Sequence, residues 1–171
     1  MGTCINILRR AACPLLFLAP FFTFGQFGSQ IIINNNVIAP TSVRTTDIDG
    51  DGDLDVLSSA FYNQEVVVWY ENTDGLGDFS TKHVVSEILN QSFSSFPEDV
   101  DLDGDIDIIS VSFAGDRLVW FENLDGAGNF SGEILIHNEN GAFQAITGDI
   151  DNDGFNDIIL SSSTSNRLSW F

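Results

Sequence analysis

Cysteine and basic residues are scarce in this 171-residue chain. Its two cysteines, Cys4 and Cys13, lie within the first thirteen residues, so the rest of the chain can form neither a disulfide nor a thiolate metal site. Lys and Arg number 6 against 25 Asp and Glu, which gives a formal net charge of −19. Because contacts to phosphate need Lys and Arg, this balance argues against binding to nucleic acid or to an anionic membrane surface.

Long apolar runs are also missing. The run from Ala11 to Phe24 has 14 residues, whereas a helix that spans a bilayer needs about 20. It follows Arg9 and Arg10, the order that is typical of an export signal, so residues 1–25 are predicted to be a signal peptide. An uncleaved anchor is the alternative. We therefore expect a secreted or cell-surface protein with no membrane insertion once the signal is removed.

Catalytic signatures are absent as well. The sequence contains no H-E-x-x-H, no G-x-S-x-G and no glycine loop of the kind that cradles a phosphate. Its two histidines have no neighbouring Cys and no Ser-Asp arrangement of a triad. We expect no catalytic residues, no organic cofactor and no enzymatic activity.

The acids that are present form three similar runs. These are "DIDGDGDLD" from Asp47, "DVDLDGDID" from Asp99 and "DIDNDGFND" from Asp149, at steps of 52 and 50 residues. Tryptophans recur with the same step, in "VVVWYENTDGLGDFS", "RLVWFENLDGAGNFS" and "RLSWF". Two independent markers in one register indicate an internal repeat of about 50 residues.

Each repeat has the signals of β structure. A β-branched apolar stretch follows the acidic run, and then come a polar turn, the tryptophan strand, a Gly-Asp loop and a fourth strand. Four antiparallel strands in about 50 residues predict an all-β fold of β-propeller blades, and a flat β-sandwich is the alternative. The predicted organisation is a lead-in over 26–42 and three repeats at about 43–92, 93–142 and 143–171. Because the third repeat is cut short, we expect an incomplete arc.

The repeated tryptophans are Trp69, Trp120 and Trp170. Aromatic faces suit sugar rings, so a carbohydrate platform is one interpretation. Recurrence at the same point of every repeat favours packing in the core or between blades, and we predict that role.

Alignment of the acidic runs assigns a function to each position. Positions 1, 3, 5 and 9 are always Asp and position 6 is always Gly, while position 7 varies. Ca²⁺ takes six to eight oxygen ligands, and carboxylates at alternate positions can wrap a loop around it. The glycine permits the sharp turn, and position 7 can ligate through its backbone carbonyl. The predicted ligands of about three calcium ions are Asp47, Asp49, Asp51, Asp53, Asp55, Asp99, Asp101, Asp103, Asp105, Asp107, Asp149, Asp151, Asp153, Phe155 and Asp157.

Other ion sites fit the runs less well. An EF-hand needs a bidentate Glu at position 12, where this chain has Ser58, Ser110 and Leu160, and it needs flanking helices. Zinc and redox metals prefer Cys or His ligands, and magnesium holds its waters more firmly than calcium does. An acidic turn that binds nothing remains the simplest alternative, but three copies in register argue against it.

Taken together, these motifs resemble the VCBS/FG-GAP repeats, which are related to the blades of the integrin α-chain propeller. The resemblance spans Val43 to Phe171 and implies a calcium-binding hairpin loop in each blade. The Phe-Gly and Gly-Ala-Pro pair of the integrin form is missing, so integrin-like partner choice is not implied. We expect an exported, non-catalytic binding or adhesion scaffold whose ligand is a protein or a carbohydrate. The alternative is the non-catalytic part of a larger secreted enzyme, such as a polysaccharide-degrading one.

Overall fold

Antiparallel strands build the fold in the order in which they occur along the chain. The structure is a computed structural model that describes residues 28–62 and 66–171, so the predicted signal peptide and both cysteines lie outside it. Within those ranges there is no helix, and residues 32–171 form one compact unit. No described segment is a helix long and apolar enough to cross a membrane.

The strands form three separate sheets, each in sequential order. The first sheet contains β1 (Pro40–Thr46), β2 (Asp55–Ala60), β3 (Val67–Glu71) and β4 (Thr81–Ser86). The second contains β5 (Ser92–Glu98), β6 (Asp107–Ser112), β7 (Arg117–Phe121) and β8 (Ile134–Asn138). The third contains β9 (Ala142–Gly148), β10 (Asp157–Ser162) and β11 (Arg167–Trp170). These sheets confirm the all-β prediction and are consistent with propeller blades rather than with a two-sheet sandwich.

Burial follows the position of each strand in its sheet. Every residue of β2 and of β6 is buried, whereas the outer strand β4 alternates between half-buried and exposed positions before it ends at the buried Ser86. The continuous runs "VLSSA" and "IISVS" therefore suit central strands that are covered on both faces, and "TKHVVS" suits a sheet edge. Ile and Val fit this setting because branched side chains pack well on a pleated surface.

Neighbouring sheets pack face to face. We call the face of each sheet that carries the repeated tryptophan its forward face and the opposite side its rear face. Leu57 and Trp69 on the forward face of the first sheet form one core with Ile108, Val119 and Phe121 on the rear face of the second. The next core joins the forward face of the second sheet to the rear face of the third, through Phe96, Ile109, Leu118, Ile158 and Leu160.

The three tryptophans differ in burial. Trp69 is 1% exposed, and it lies so close to Gly128 of the next sheet that a Cβ there would come within 2.5 Å of the indole. Trp120 is half-buried, and Trp170 is 52% exposed. The prediction of core packing is therefore confirmed for Trp69 and is wrong for Trp170, since no described sheet covers the forward face of the third sheet.

Candidate metal centre

Each acidic run forms the loop between the first and second strands of its sheet. In the first sheet Thr46 pairs with Asp55, so the run begins just after β1 and its ninth residue starts β2. Glu98 pairs with Asp107 in the second sheet, and Gly148 pairs with Asp157 in the third. The three candidate sites therefore occupy the same place in successive hairpins.

Two left-handed residues curl each loop. Position 6 has φ of 98° at Gly52, 99° at Gly104 and 96° at Gly154, where a side chain would be strained, so the predicted need for glycine is confirmed. Position 4 is also left-handed, but its residue varies: Gly50 has φ of 74° and Leu102 has φ of 64°. Alignment of the three acidic runs did not predict this second left-handed residue, because the residue type at position 4 differs between the runs.

Backbone hydrogen bonds turn the carboxylates into the loop. In the first run Asp47 accepts from the N–H of Gly50 at 2.8 Å and from that of Gly52 at 3.0 Å. Asp51 accepts from the N–H of Asp53 at 2.9 Å. Equivalent bonds recur in the other runs, as from Gly104 to Asp99 and from Gly154 to Asp149, each at 3.2 Å. The chain therefore wraps around its own acidic side chains.

Three carboxylates converge in every loop. In each group one oxygen per residue lies within 4.8 Å of the others. The groups are Asp47, Asp49 and Asp55; Asp99, Asp101 and Asp103; and Asp149, Asp151 and Asp157. The other predicted ligands lie in the same loops but outside these groups: Asp51, Asp53, Asp105, Asp107, Asp153 and Phe155. Nine of the fifteen predicted positions are thus brought together.

The ninth position has a structural task that the sequence did not reveal. Asp55 is 1% exposed, and its two oxygens accept from the backbone N–H groups of Ile48 and Asn72, both at 2.9 Å. Asp107 accepts in the same way from Val100 at 3.1 Å and from Asn123 at 2.7 Å. This carboxylate therefore ties the acidic loop to the end of the third strand.

The seventh position contacts the Gly-Asp loop of its own sheet. A Cβ on Gly75 would lie 2.4 Å from an oxygen of Asp53, and one on Gly126 would lie 2.5 Å from an oxygen of Asp105. A side chain at either glycine would push the carboxylate out of its present position. Phe155, the third residue at this position, is 57% exposed and donates its N–H to Asp153 at 2.9 Å.

The Gly-Asp loops also brace the acidic loops. Asn123 donates from Nδ2 to the carbonyl oxygens of Ile48 at 3.0 Å and of Ile106 at 3.2 Å, which joins acidic loops of two neighbouring sheets. Its Oδ1 accepts from the N–H of Gly128 at 3.1 Å. The repeated "N-x-D-G-x-G" was the sequence signal for this support, although its role was not predicted.

Burial, and after it the proximity of other acids, raises the pKa of several carboxylates in the acidic loops. Burial is the largest cause that raises the pKa of Asp49, Asp55, Asp105 and Asp107 above the ordinary Asp value of 3.8, and nearby acid groups add to it. Asp74, in a Gly-Asp loop, behaves in the opposite way, since hydrogen bonds from the backbone of Asp78 and Leu76 lower its pKa. Keeping these carboxylates ionised therefore costs free energy, and a bound cation would offset that cost.

One buried carboxylate oxygen of the described acidic loops lacks a hydrogen-bond partner. Asp99 Oδ1 is buried and accepts no hydrogen bond from any described residue. A buried acceptor without a partner is costly, and a cation bound beside it would remove that cost. Together with donor groups made only of hard carboxylate oxygens, this oxygen fits a calcium ion better than it fits an empty acidic turn.

Comparison with known proteins identifies a family. The family model described as FG-GAP-like repeat matches this chain twice, over residues 47–110 and 99–160. A search of curated proteins and a search of solved structures found no match. The two matches together cover all three acidic runs.

Proposed function

The chain belongs to the FG-GAP-like repeat family, and on that premise we propose that it is a non-catalytic, calcium-stapled scaffold that is exported and presents a binding surface. FG-GAP repeats are binding or scaffold units and are typical of extracellular domains. The observation that supports the calcium role best is that three carboxylates converge in the same hairpin loop of three successive sheets. The ligand of the scaffold would be a protein or a carbohydrate.

Calcium would act on the loops by neutralising charge. The converging carboxylates Asp99, Asp101 and Asp103 would hold the ion in the second loop, and the buried oxygen of Asp99 would gain the partner that it lacks. In the first and third loops position 9 takes the place of position 5 in the converging group, and position 7 would add an oxygen, through its backbone carbonyl where it is Phe155. Bound calcium would fix the turn between the first two strands of each sheet and so stabilise the fold.

The same carboxylates are poorly suited to catalysis. A general acid must carry a proton near the working pH, whereas a carboxylate that ligates Ca²⁺ is held ionised. The convergent groups contain no His, Cys or Lys that could act as nucleophile or base beside them. We therefore propose that the acidic loops stabilise the scaffold and carry out no reaction.

Calorimetric titration of the purified chain with Ca²⁺ tests this function. We expect about three sites with dissociation constants on the order of 10⁻⁴–10⁻³ M, as in other extracellular calcium modules. At a tenfold excess over the dissociation constant each site would add about 1.4 kcal/mol to the free energy of unfolding, or roughly 4 kcal/mol in total. EGTA should then lower the melting temperature. No calcium heat, together with an unchanged melting temperature in EGTA, would refute the proposal.

A matched pair of variants assigns the binding to the loops. Asp101→Asn removes one ligand charge from the second group and should reduce the stoichiometry by one ion. Glu87→Gln removes the same charge from an exposed residue outside the acidic runs and should leave the stoichiometry unchanged. Equal effects of the two changes would indicate general attraction to an acidic protein rather than a loop site.

A further inference from the structure

One side chain joins the acidic loops of two neighbouring sheets. Asn123, at the start of the Gly-Asp loop of the second sheet, is 1% exposed. Its Nδ2 donates to the carbonyl oxygen of Ile48 in the first acidic loop and to that of Ile106 in the second. Ile48 lies between Asp47 and Asp49, two of the converging carboxylates of the first loop. A residue of the second sheet is therefore hydrogen-bonded to the backbone of the first candidate site.

The backbone around Ile48 has little freedom to move independently. Its N–H donates to Asp55, the third converging carboxylate of the first loop, at 2.9 Å. Its side chain is buried in the core between the first two sheets, where packing leaves little space for adjustment. The first acidic loop also touches the Gly-Asp loop of the second sheet, since a Cβ added to Gly50 would lie 3.4 Å from the carbonyl oxygen of Gly126. Any displacement of the first loop therefore also displaces an acceptor of Asn123.

Asn123 is bonded to the second acidic loop as well. Its own N–H donates to Asp107 at 2.7 Å, and the other oxygen of Asp107 accepts from the N–H of Val100 at 3.1 Å. Val100 lies between Asp99 and Asp101, two of the converging carboxylates of the second loop. A continuous series of hydrogen bonds thus connects the converging carboxylates of one loop with those of the next.

On the basis of the calcium role proposed above, we propose that the first two acidic loops bind calcium cooperatively and that Asn123 couples them. When the first loop is ordered around an ion, Ile48 is fixed, and its carbonyl oxygen then restrains Asn123. The second loop begins from a more ordered state and loses less conformational entropy on binding, so its affinity rises, and by linkage the effect is reciprocal.

Direct electrostatics favours the opposite sign. Each bound ion removes negative charge that would attract the other ion, so two loops that interacted only through charge would bind with negative cooperativity. Ionic strength near 0.15 M screens that effect beyond about 8 Å. Positive cooperativity at this ionic strength would therefore distinguish coupling through the hydrogen bonds of Asn123 from coupling through charge.

The second and third loops are joined by more exposed contacts. Glu98, at the end of β5, accepts from Nδ2 of Asn156 at 2.8 Å and from the hydroxyl of Thr147. Asn156 is exposed and Glu98 is half-buried, whereas Asn123 is buried. Water competes for exposed hydrogen bonds, so we expect weaker coupling between these two loops than between the first two.

Calorimetric titration of variants with one or two intact loops measures the coupling. Asp151→Asn disables the third loop throughout, and a further Asp101→Asn or Asp49→Asn leaves only the first loop or only the second. The overall association constant of the two-loop chain is divided by the product of the two one-loop constants. We expect this coupling factor to be about fivefold or more, and to fall to about one when Asn123→Ala is added to all three chains.

Asn72→Ala is the matched control. Asn72 holds the equivalent place in the first sheet, but its Nδ2 donates at 3.3 Å to the carbonyl oxygen of Leu54 in the same sheet. Any affinity that this change removes from the first loop enters the one-loop and the two-loop constants alike, so the coupling factor should remain. A factor of one or less with Asn123 intact, while each loop still binds calcium, would overturn the coupling and leave the proposed function standing. Absence of calcium binding in every variant would overturn both.

Amide hydrogen exchange gives a second measurement that leaves Asn123 unchanged. In the chain with only the first loop intact, calcium should slow exchange at the N–H groups of Asn123 and Val100, although the second loop holds no ion. The N–H of Ile150 is the internal reference, because it donates to Asp157 in the disabled third loop as Val100 does to Asp107 in the second. Equal slowing at Ile150 would indicate only general stabilisation of the fold, and no slowing at Val100 would show that binding in the first loop does not order the second. Either result would overturn the coupling.

Discussion

At the scale of single residues, the aspartates of one loop divide into two kinds. Asp107 is 1% exposed, and both of its oxygens accept backbone hydrogen bonds, from Val100 and Asn123. Asp101 is exposed and belongs to the convergent group. The sequence assigned both to the ion, because a repeated Asp gives no sign of which hydrogen bonds it accepts.

Substitution separates the two kinds. Asp107→Asn replaces an acceptor with an N–H₂ group that cannot accept, so a buried backbone N–H loses its partner and the free energy of unfolding falls by about 1–3 kcal/mol even in EGTA. Asp101→Asn keeps an acceptor for the N–H of Asp103 and should cost less than about 0.5 kcal/mol in EGTA, with a larger loss only in calcium. Urea unfolding in EGTA and in calcium measures both. Equal costs in EGTA would contradict this division.

Leu102 is strained where its counterparts are relaxed. Its φ of 64° is unfavourable for a residue with a Cβ atom, whereas the same loop position is Gly50 in the first run. Leu102→Gly should therefore raise the free energy of unfolding by about 0.5–1 kcal/mol, after the entropy that glycine loses on folding is subtracted. Leu54→Gly is the matched control, since Leu54 is equally exposed in the same kind of loop but not left-handed, and it should destabilise. Urea unfolding of both variants measures these changes. If the two unfolding midpoints shift in the same direction, the strain at Leu102 is refuted.

At the scale of elements, hydroxyl groups join β1 and β2 of the first sheet to β5 of the second, and we call this contact between neighbouring sheets a seam. Thr41 donates to the carbonyl of Ser92 at 2.7 Å, and Ser42 lies 2.6 Å from the hydroxyl of Ser59 while it accepts from the N–H of Ser95 at 3.1 Å. The corresponding seam between the second and third sheets is apolar instead. Its residues are Ala142, Ala145 and Leu160. The two seams thus join equivalent strands by different chemistry.

The seam between the first two sheets should be sensitive to the loss of a single hydroxyl group. Ser42→Ala leaves the fully buried N–H of Ser95 without an acceptor, and we expect a loss of about 1–3 kcal/mol in the free energy of unfolding. Ser161→Ala removes an exposed hydroxyl that donates to the carbonyl of Gln144 and should cost less than about 0.5 kcal/mol. Thermal and urea melts compare the two. A Ser42→Ala variant as stable as the wild type would mean that water replaces the lost acceptor.

These seams show where prediction from the sequence stops. The second and third strands of each repeat were predictable because branched apolar residues follow the acidic run and the tryptophan marks the next strand. The first strands, such as "PTSVRTT" and "SFSSFPE", lack that apolar pattern, and their inner hydroxyls are buried only because a neighbouring sheet contacts them. The carboxylate groups were predictable from spacing, whereas the brace from Asn123 depends on contact across 75 residues.

At the scale of the whole molecule, different interactions stabilise the two ends of the sheets. One end carries the acidic loops. At the other end, aromatic rings pack across the three sheets: Phe93 lies 4.9 Å from Phe61, 5.2 Å from Phe113 and 4.6 Å from Phe143, between ring centroids. Ring contacts of this kind do not depend on ions. Chelation of calcium should therefore loosen the acidic end while the aromatic end stays packed.

The acidic end also gives stability an unusual dependence on pH. The raised pKa values of Asp49, Asp55, Asp105 and Asp107 mean that the metal-free folded chain binds more protons than the unfolded chain just above pH 3.8. Its stability must therefore rise as pH falls from neutrality into that range, since protonation relieves the penalty of the buried charges. The net charge of −19 acts in the same direction, because protonation reduces repulsion.

Bound calcium should reverse this trend. Protons compete with the ion for the same carboxylates, so the melting temperature in calcium should fall with pH while the melting temperature in EGTA rises, and the two curves should converge in the acidic range. Differential scanning calorimetry between about pH 7 and pH 4.5, at constant ionic strength, measures both curves. The lowered pKa of Asp74 has its effect only below 3.8 and does not disturb this comparison. A metal-free chain that loses stability steadily from pH 7 to pH 5 would show that its acidic loops are not under electrostatic strain.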